Sequence, residues 1–308
     1  MDEKYKVIID ADPGVDDTMA LVYALFNDKI DVELITTVAG NKGLDVCTRN
    51  TLHILDKYGI KIPVAKGAKT ALCRNSMDAT HIHGVSGMGR YIPSRPKQRP
   101  IKANAVKAMY NVLKDADEPI YILAFGPHTN VAKLLLKHPE IKPKIKGIIA
   151  EGCCPYGMDG RTHISFNVRT DPEAYKIILE SGVPLTMVPS HMGRELLHLT
   201  EEECNRIKNM NETGAFFYEM MTGYWERGFP DKRIAINDSC ICIYLLYPEL
   251  FNVVNTNIVV DTKDDPGKTI MDFAIDGEHE YLVGCNRERI HELFFETLTK
   301  LNDIKLKV

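Results

Sequence analysis

The first apolar run of the chain, Val7-Ile8-Ile9, is short, β-branched and closed by Asp10; the spacing then changes to that of an amphipathic helix. The same switch recurs along the chain. Apolar, β-branched runs fall at residues 6–10, 32–38, 120–125, 145–151, 184–189 and 255–260, and helical spacing fills 16–26, 44–58, 103–114, 129–137, 172–181 and a stretch from 201 to 225. Continuous apolar runs suit strands buried on both faces, and strands alternating with helices connect in parallel. The pattern therefore predicts an α/β fold: a single domain over residues 1–308, with a mainly parallel central sheet and helices on both faces. In such sheets ligands bind beyond the carboxyl ends of the strands. Asp10, Phe125 and Glu151 all fall at such ends, so residues far apart in sequence are predicted to converge. Residues 68–102, rich in Pro, Arg, Gly and Ser, read as a long loop placed to close over that region.

Composition narrows the class of ligand. A net charge of -4 and a pI near 6.2, with Lys and Arg spread along the chain, argue against a nucleic-acid-binding surface and for a small-molecule ligand. No apolar run approaches the roughly 20 residues that span a bilayer, and Met1-Asp2-Glu3-Lys4 lacks the apolar core of a secretion signal. No membrane partner and a cytoplasmic location are expected. The cysteines, at 47, 73, 153, 154, 204, 240, 242 and 285, show no Cys-x-x-Cys spacing, so neither structural zinc nor disulfides are expected.

The candidate chemistry sits where the first strand ends. Asp10, Asp12, Asp16 and Asp17 crowd into one turn, with Pro13 and Gly14 between them to make it tight. Like charges this close repel, and a hard divalent cation turns the repulsion into binding. Any one of these acids taken alone is an ordinary first-turn or loop residue. All four at an apolar strand end call for a counterion. An EF-hand does not fit, because Gly14 stands fifth from Asp10 and Leu21 twelfth, where that loop needs Asp or Asn and then Glu. A phosphatase with Asp-x-Asp after its first strand matches Asp10 and Asp12, but not the Pro13-Gly14 that follows.

The fingerprint Asp10-Ala11-Asp12-Pro13-Gly14-Val15-Asp16-Asp17 resembles that of the inosine-uridine-type nucleoside hydrolases. The resemblance continues through Thr36-Thr37-Val38-Ala39-Gly40-Asn41, His83-Gly84-Val85-Ser86-Gly87, Phe125-Gly126-Pro127-His128-Thr129-Asn130, Phe166-Asn167 with Asp171-Pro172-Glu173-Ala174, and an echo at Asn237-Asp238. It implies Ca²⁺-dependent cleavage of the N-glycosidic bond of a nucleoside or related riboside to ribose and free base, by a homodimer or homotetramer. Such cleavage passes through an oxocarbenium-like state that needs a placed water, anchored sugar hydroxyls and help for the departing base. The resemblance implies Asp10, Asp12, Asp17, Asp238 and the main-chain carbonyl of Phe125 as metal ligands. It makes Asp12 the general base as well, with Asp16 on the ribose 2'-hydroxyl and Asn41 and Asn167 on the sugar. Asp171, followed by Pro172, reads instead as a helix cap.

Departures from the family pattern limit what carries over. Many members place His before the last metal Asp, as the acid for the leaving base; here that residue is Asn237, and His83 is the expected replacement, with a near-neutral imidazole suited to proton transfer. Members usually read Glu-Phe-Asn where this chain reads Ser165-Phe166-Asn167, so the Glu on the ribose 5'-hydroxyl is lost and Ser165 faces that end. Asp159 stands where an Asn is expected nearby. Arg161, His163 and Arg169 are close in sequence and are either solvated or suited to a 5'-substituted sugar. Trp225 and Phe229, preceded by Tyr224, are candidates to flank the base, although the apolar face upstream makes Trp225 equally a core residue. Two readings remain: a nucleoside hydrolase of pyrimidine or relaxed preference, and a binding homologue that keeps the metal and ribose site but turns over slowly.

Overall fold

Strand β1 (Tyr5–Ala11) is fully buried from Val7 onward and lies inside the sheet, between β2 and β4. A computed structural model describes residues 4–75, 77–153, 164–228, 231–273 and 276–307. In chain order, β1 leads to α1 (Val15–Phe26), β2 (Ile30–Thr37), α2 (Leu44–Tyr58), β3 (Val64–Lys66), the one-turn α3 (Thr80–His83), α4 (Ala105–Asp115), β4 (Ile120–Ala124), α5 (Thr129–Lys137) and β5 (Ile145–Glu151). There follow α6 (Phe166–Thr170), α7 (Pro172–Leu179), β6 (Leu185–Val188), α8 (Glu201–Lys208), α9 (Glu212–Gly228), α10 (Asn237–Leu246), β7 (Phe251–Val260), β8 (Thr269–Asp272), β9 (His279–Cys285) and α11 (Arg287–Thr299). Among the described residues the strands form one sheet of order β3-β2-β1-β4-β5-β6-β9-β7-β8. Pairing is parallel from β3 through to β9, while β7 runs antiparallel to both β9 and β8. The α/β single-domain fold read from the pattern is the fold observed, with an antiparallel extension at one edge.

Side chains on β1 alternate between two cores, as strand geometry requires. Val7 and Ile9 pack with residues of α1, α2, α9, α10 and α11 on one face, and Ile8 packs with α4, α5 and α7 on the other. Strands covered on both sides cannot alternate polar with apolar positions, which is why these runs were continuous in sequence. The chain leaves β1 toward β2 and β3, then returns to place β4 on β1's other side. The crevice at that reversal, beyond the strand ends, is where an open α/β sheet binds ligands.

Several local readings change. Residues 201–225 form two helices, since Thr200 and Glu203 make a reciprocal cap at the start of α8 and Asn211 accepts the Gly214 N–H at the start of α9. The stretch 68–102 contains α3 and is tied down: Arg49 and Asn50 of α2 donate to the Ser86 carbonyl, and Asp56 accepts from the backbone of Lys97 and Gln98. Asp171 caps α7 through the Ala174 N–H at 3.0 Å, and also accepts from Thr129 and Leu72. The seven described cysteines carry no disulfide, and among the described residues no helix is long and apolar enough to cross a membrane.

Candidate active site

The β1-to-α1 turn folds around one carboxylate. Asp17 accepts the Asp12 N–H on Oδ1 (3.2 Å) and the Gly14 N–H on Oδ2 (3.0 Å), so the acid closes the loop that displays its neighbours. Asp12 is held in turn: its Oδ2 accepts the Asn41 N–H at 2.6 Å, from the loop after β2. Gly40 and Gly126 press against the same carboxylate, and a Cβ on Gly126 would lie 2.6 Å from Asp12 Oδ1. Both glycines are there because nothing larger fits.

Asp10 is anchored from below, its Oδ1 accepting from Thr36 Oγ1 (2.5 Å) and Asn130 Nδ2 (2.8 Å). Asn130 also donates to the Thr37 carbonyl and accepts from the Ala68 N–H, tying three strand ends together around the acid. Asn130 was read only as part of the 125–130 motif, without a role, because its partners stand 62 to 120 positions away.

Asp238 arrives on α10, which packs on α1, and oxygens of Asp16, Asp17 and Asp238 lie within 4.8 Å of one another. Burial raises the carboxyl groups of all these acids. Asp10 is pushed up to about 7 and Asp16 to about 8, while Asp12 and Asp238 are also raised, first by burial and then by the charge of Asp17. Asp10 Oδ2, Asp12 Oδ1 and Asp16 Oδ1 are buried without a protein partner. Among the described residues Asp16, Asp17 and Asp238 converge as an oxygen-only set that fits a hard divalent cation, whereas Asp10 and Asp12, with their unpartnered oxygens, stand outside that group. Asp16 belongs to the convergent group, although the resemblance assigned it only to the sugar.

Beyond the acids opens a cavity of about 870 Å³ lined by Asp16, Asp17, Asn41, His83, Phe125, Glu151, Ser165, Asn167, Tyr224, Asn237 and Asp238, among others. Asp10 and Asp12 do not line it. Asn41 donates its amide to Asp17 Oδ2 (2.9 Å), and Asn167 donates to the Phe125 carbonyl (2.6 Å) and to Glu151 Oε2 (2.8 Å). Ser165 and Ser190 donate to Glu151 at 3.0 and 2.7 Å. Burial pushes Glu151 up to about 7. Its strand-end position was legible, but its part in the cavity wall was not.

Two expectations are corrected. His83 lines the cavity but is no near-neutral acid, since burial brings its imidazole down to about 3. Its Nδ1 accepts the Val15 N–H at 3.2 Å, so the ring is neutral and its proton sits on Nε2. Trp225 does not line the cavity. It stands edge-on to Tyr218 at 5.9 Å, because successive helical residues point about 100° apart and Tyr224, tilted against His83 at 5.5 Å, takes the inward position. Arg169 is exposed and belongs to solvent. Asp159, Phe229, Arg161 and His163 lie outside the described residues. Asn237 lines the cavity with its Oδ1 buried and unpartnered, against Gly193 in a π-helical turn (Met192–Leu196) that has no room for a Cβ.

A family model described as inosine-uridine preferring nucleoside hydrolase matches residues 7–292. The chain belongs to that family. It is 34% identical over 272 residues to a non-specific ribonucleoside hydrolase, RihC, of Salmonella typhi, covering 86% of this chain and 87% of the relative. Among solved structures it resembles a plant nucleoside hydrolase, PpNRh1, with a TM-score of 0.89, 26% identity and coverage of 96% and 99% of the two chains. A purine-preferring ribonucleoside hydrolase from Gardnerella vaginalis is similar at a TM-score of 0.89 and 27% identity, covering 97% and 99%. Nucleoside hydrolases are N-glycosyl hydrolases, and in this member Asp10 is buried and pinned by Thr36 and Asn130, unsuited to the aspartyl nucleophile that the phosphatase reading needs.

Proposed function

We propose that this nucleoside hydrolase cleaves the N-glycosidic bond of ribonucleosides in a Ca²⁺-dependent reaction, with relaxed preference for the base. The observation that carries the reading is the set of buried carboxylate oxygens without a protein partner at the end of β1. Asp10, Asp12, Asp17, Asp238 and the Phe125 carbonyl would hold the ion, with Asp16 beside them. When bound, Ca²⁺ supplies Lewis acidity toward water and sugar hydroxyls. Asp12 serves as general base: one oxygen is fixed by Asn41, and the other is free to take the proton of the attacking water. Asp16 accepts from the ribose 2'-hydroxyl through its own unpartnered oxygen. Asn41 and Asn167 have spent amide protons on Asp17, Glu151 and Phe125, which leaves their carbonyl oxygens for sugar hydroxyls.

On the base side, neutral His83 offers Nε2–H to the departing nitrogen, and the Tyr224 ring flanks it. The non-specific relative supports relaxed base preference. Asn237 in place of an acid favours a second reading, a slow binding homologue. Release of reducing sugar from a panel of purine and pyrimidine ribosides, with Ca²⁺ and with chelator, tests both. Ca²⁺-dependent release is expected. Ribose binding without release from any riboside overturns hydrolysis and leaves the binding homologue.

A further inference from the structure

Glu151 ends β5, two strands from the acid cluster on β1, and only 6% of its surface is exposed. In its ionised form, present above about pH 7, this carboxylate offers about four lone-pair sites and no proton. Three are taken: Oε1 by Ser190 Oγ at 2.7 Å, and Oε2 by Ser165 Oγ at 3.0 Å and Asn167 Nδ2 at 2.8 Å. Each donor is itself a residue of the cavity lining. With both hydroxyl protons turned onto Glu151, and the Asn167 amide protons shared between Glu151 and the Phe125 carbonyl, this wall presents lone pairs to the cavity. Such a wall takes a hydroxyl that donates and repels an anion.

Sheet order says which part of a riboside meets it. Asn41 follows β2, and its main-chain carbonyl takes the Ala79 N–H that leads into α3 and His83, on one side of β1; Phe125 and Ser190 follow β4 and β6 on the other, where Glu151 ends β5. A pentose anchored by its cis-diol at the acids directs the base one way and its hydroxymethyl group the other. Strand spacing puts the β5 end about 10 Å from β1, a span that the sugar and two side chains cover. Resting on the riboside reading above, we infer that Glu151, with Ser165 and Ser190 turned onto it, is the residue of this chain that selects for a free 5'-hydroxyl. The carboxylate missing at position 165 is thereby supplied by the strand end. Arg194 and Arg233 also line the cavity, so a phosphorylated probe belongs in the test.

The test compares kcat/KM for p-nitrophenyl β-D-riboside, its 5-deoxy analogue and its 5-phosphate, a set that needs no leaving-group acid. The unmodified protein should prefer the riboside over the deoxy analogue by roughly 10- to 100-fold, the range for a hydrogen bond to a charged group, and should cleave the phosphate worst. Glu151→Gln and Glu151→Met should bring the riboside-to-deoxy ratio near one. The double variant Glu151→Gln, Ser165→Glu should restore part of it by returning the carboxylate from the helix side. Equal losses on riboside and deoxy analogue, or efficient cleavage of the phosphate by the unmodified protein, would overturn the inference while leaving riboside hydrolysis intact. No turnover of any riboside by the unmodified protein would instead remove the hydrolase reading, and this inference with it.

Discussion

Asn130 fixes an acid beside the cavity from a position outside it. Its side chain satisfies the Ala68 N–H, the Thr37 carbonyl and one oxygen of Asp10, all buried, so no solvent stands ready to replace it. Asn130→Ala should cost about 2 to 4 kcal/mol, the penalty of leaving such groups unpaired, and should weaken Ca²⁺ binding; urea denaturation and calorimetric titration check the two effects. Loss of neither would mean that Asp10 keeps its position unaided. His83 carries a different prediction. On the proposed reading His83 donates an Nε2–H hydrogen bond to the departing base without giving up the proton, so His83→Ala should slow natural nucleosides by about 10-fold, the worth of one hydrogen bond. Turnover of p-nitrophenyl riboside should fall far less. Equal losses would show that the imidazole only packs against Tyr224 and the Val15 amide. The His-Gly segment marked this residue in sequence. Its tautomer was not legible, because that depends on a backbone amide 68 positions away.

The element that departs most from its sequence reading is the stretch 68–102, where Pro and Gly suggested a mobile loop and the fold made a strap. His53 on α2 is one of its buckles, within 3.0 Å of the Tyr91 hydroxyl and 3.2 Å of Ser94 Oγ. Burial, then the charge of Lys57, brings the imidazole down to about 4; Asp56 pulls the other way and Arg49 adds to Lys57. The unfolded chain therefore binds a proton on His53 between about pH 6.5 and 4 that the folded chain excludes. Its contribution to stability is present above pH 6.5 and is lost as pH falls toward 4. Melting temperature measured from pH 7 to pH 4.5 should decline, and His53→Gln should flatten that slope; an unchanged slope would remove His53 as a cause. The long apolar strands and the helices between them were legible because burial on both faces leaves a continuous pattern. The three-residue β3 was too short to show a pattern. β8 and β9 were hidden because, with Ile270 and Val283 exposed, their apolar pattern alternates weakly.

Across the whole molecule, the acids bring together segments more than 200 positions apart in the chain. Asp12, Asp16 and Asp17 belong to the first turn after β1, whereas Asp238 rides on α10, and these two regions touch through the packing of α10 on α1. Without a cation, buried like charges push α1 and α10 apart and hydrophobic packing alone opposes them. On the proposed reading Ca²⁺ would bind this arrangement only with both elements in place, so its binding free energy would add to folding, by about 2.7 kcal/mol at a hundredfold excess over Kd. Scanning calorimetry with Ca²⁺ and with chelator should show a melting temperature several degrees higher in Ca²⁺. Asp238→Asn removes one of the repelling charges and one ligand together. It should raise the melting temperature of the metal-free protein and shrink the Ca²⁺-induced rise, a pair of opposite effects that loss of packing would not produce. Superimposable melting curves with and without Ca²⁺ in the unmodified protein would mean that these carboxylates settle their charge by holding protons, and the metal-centred account of the site would have to be abandoned.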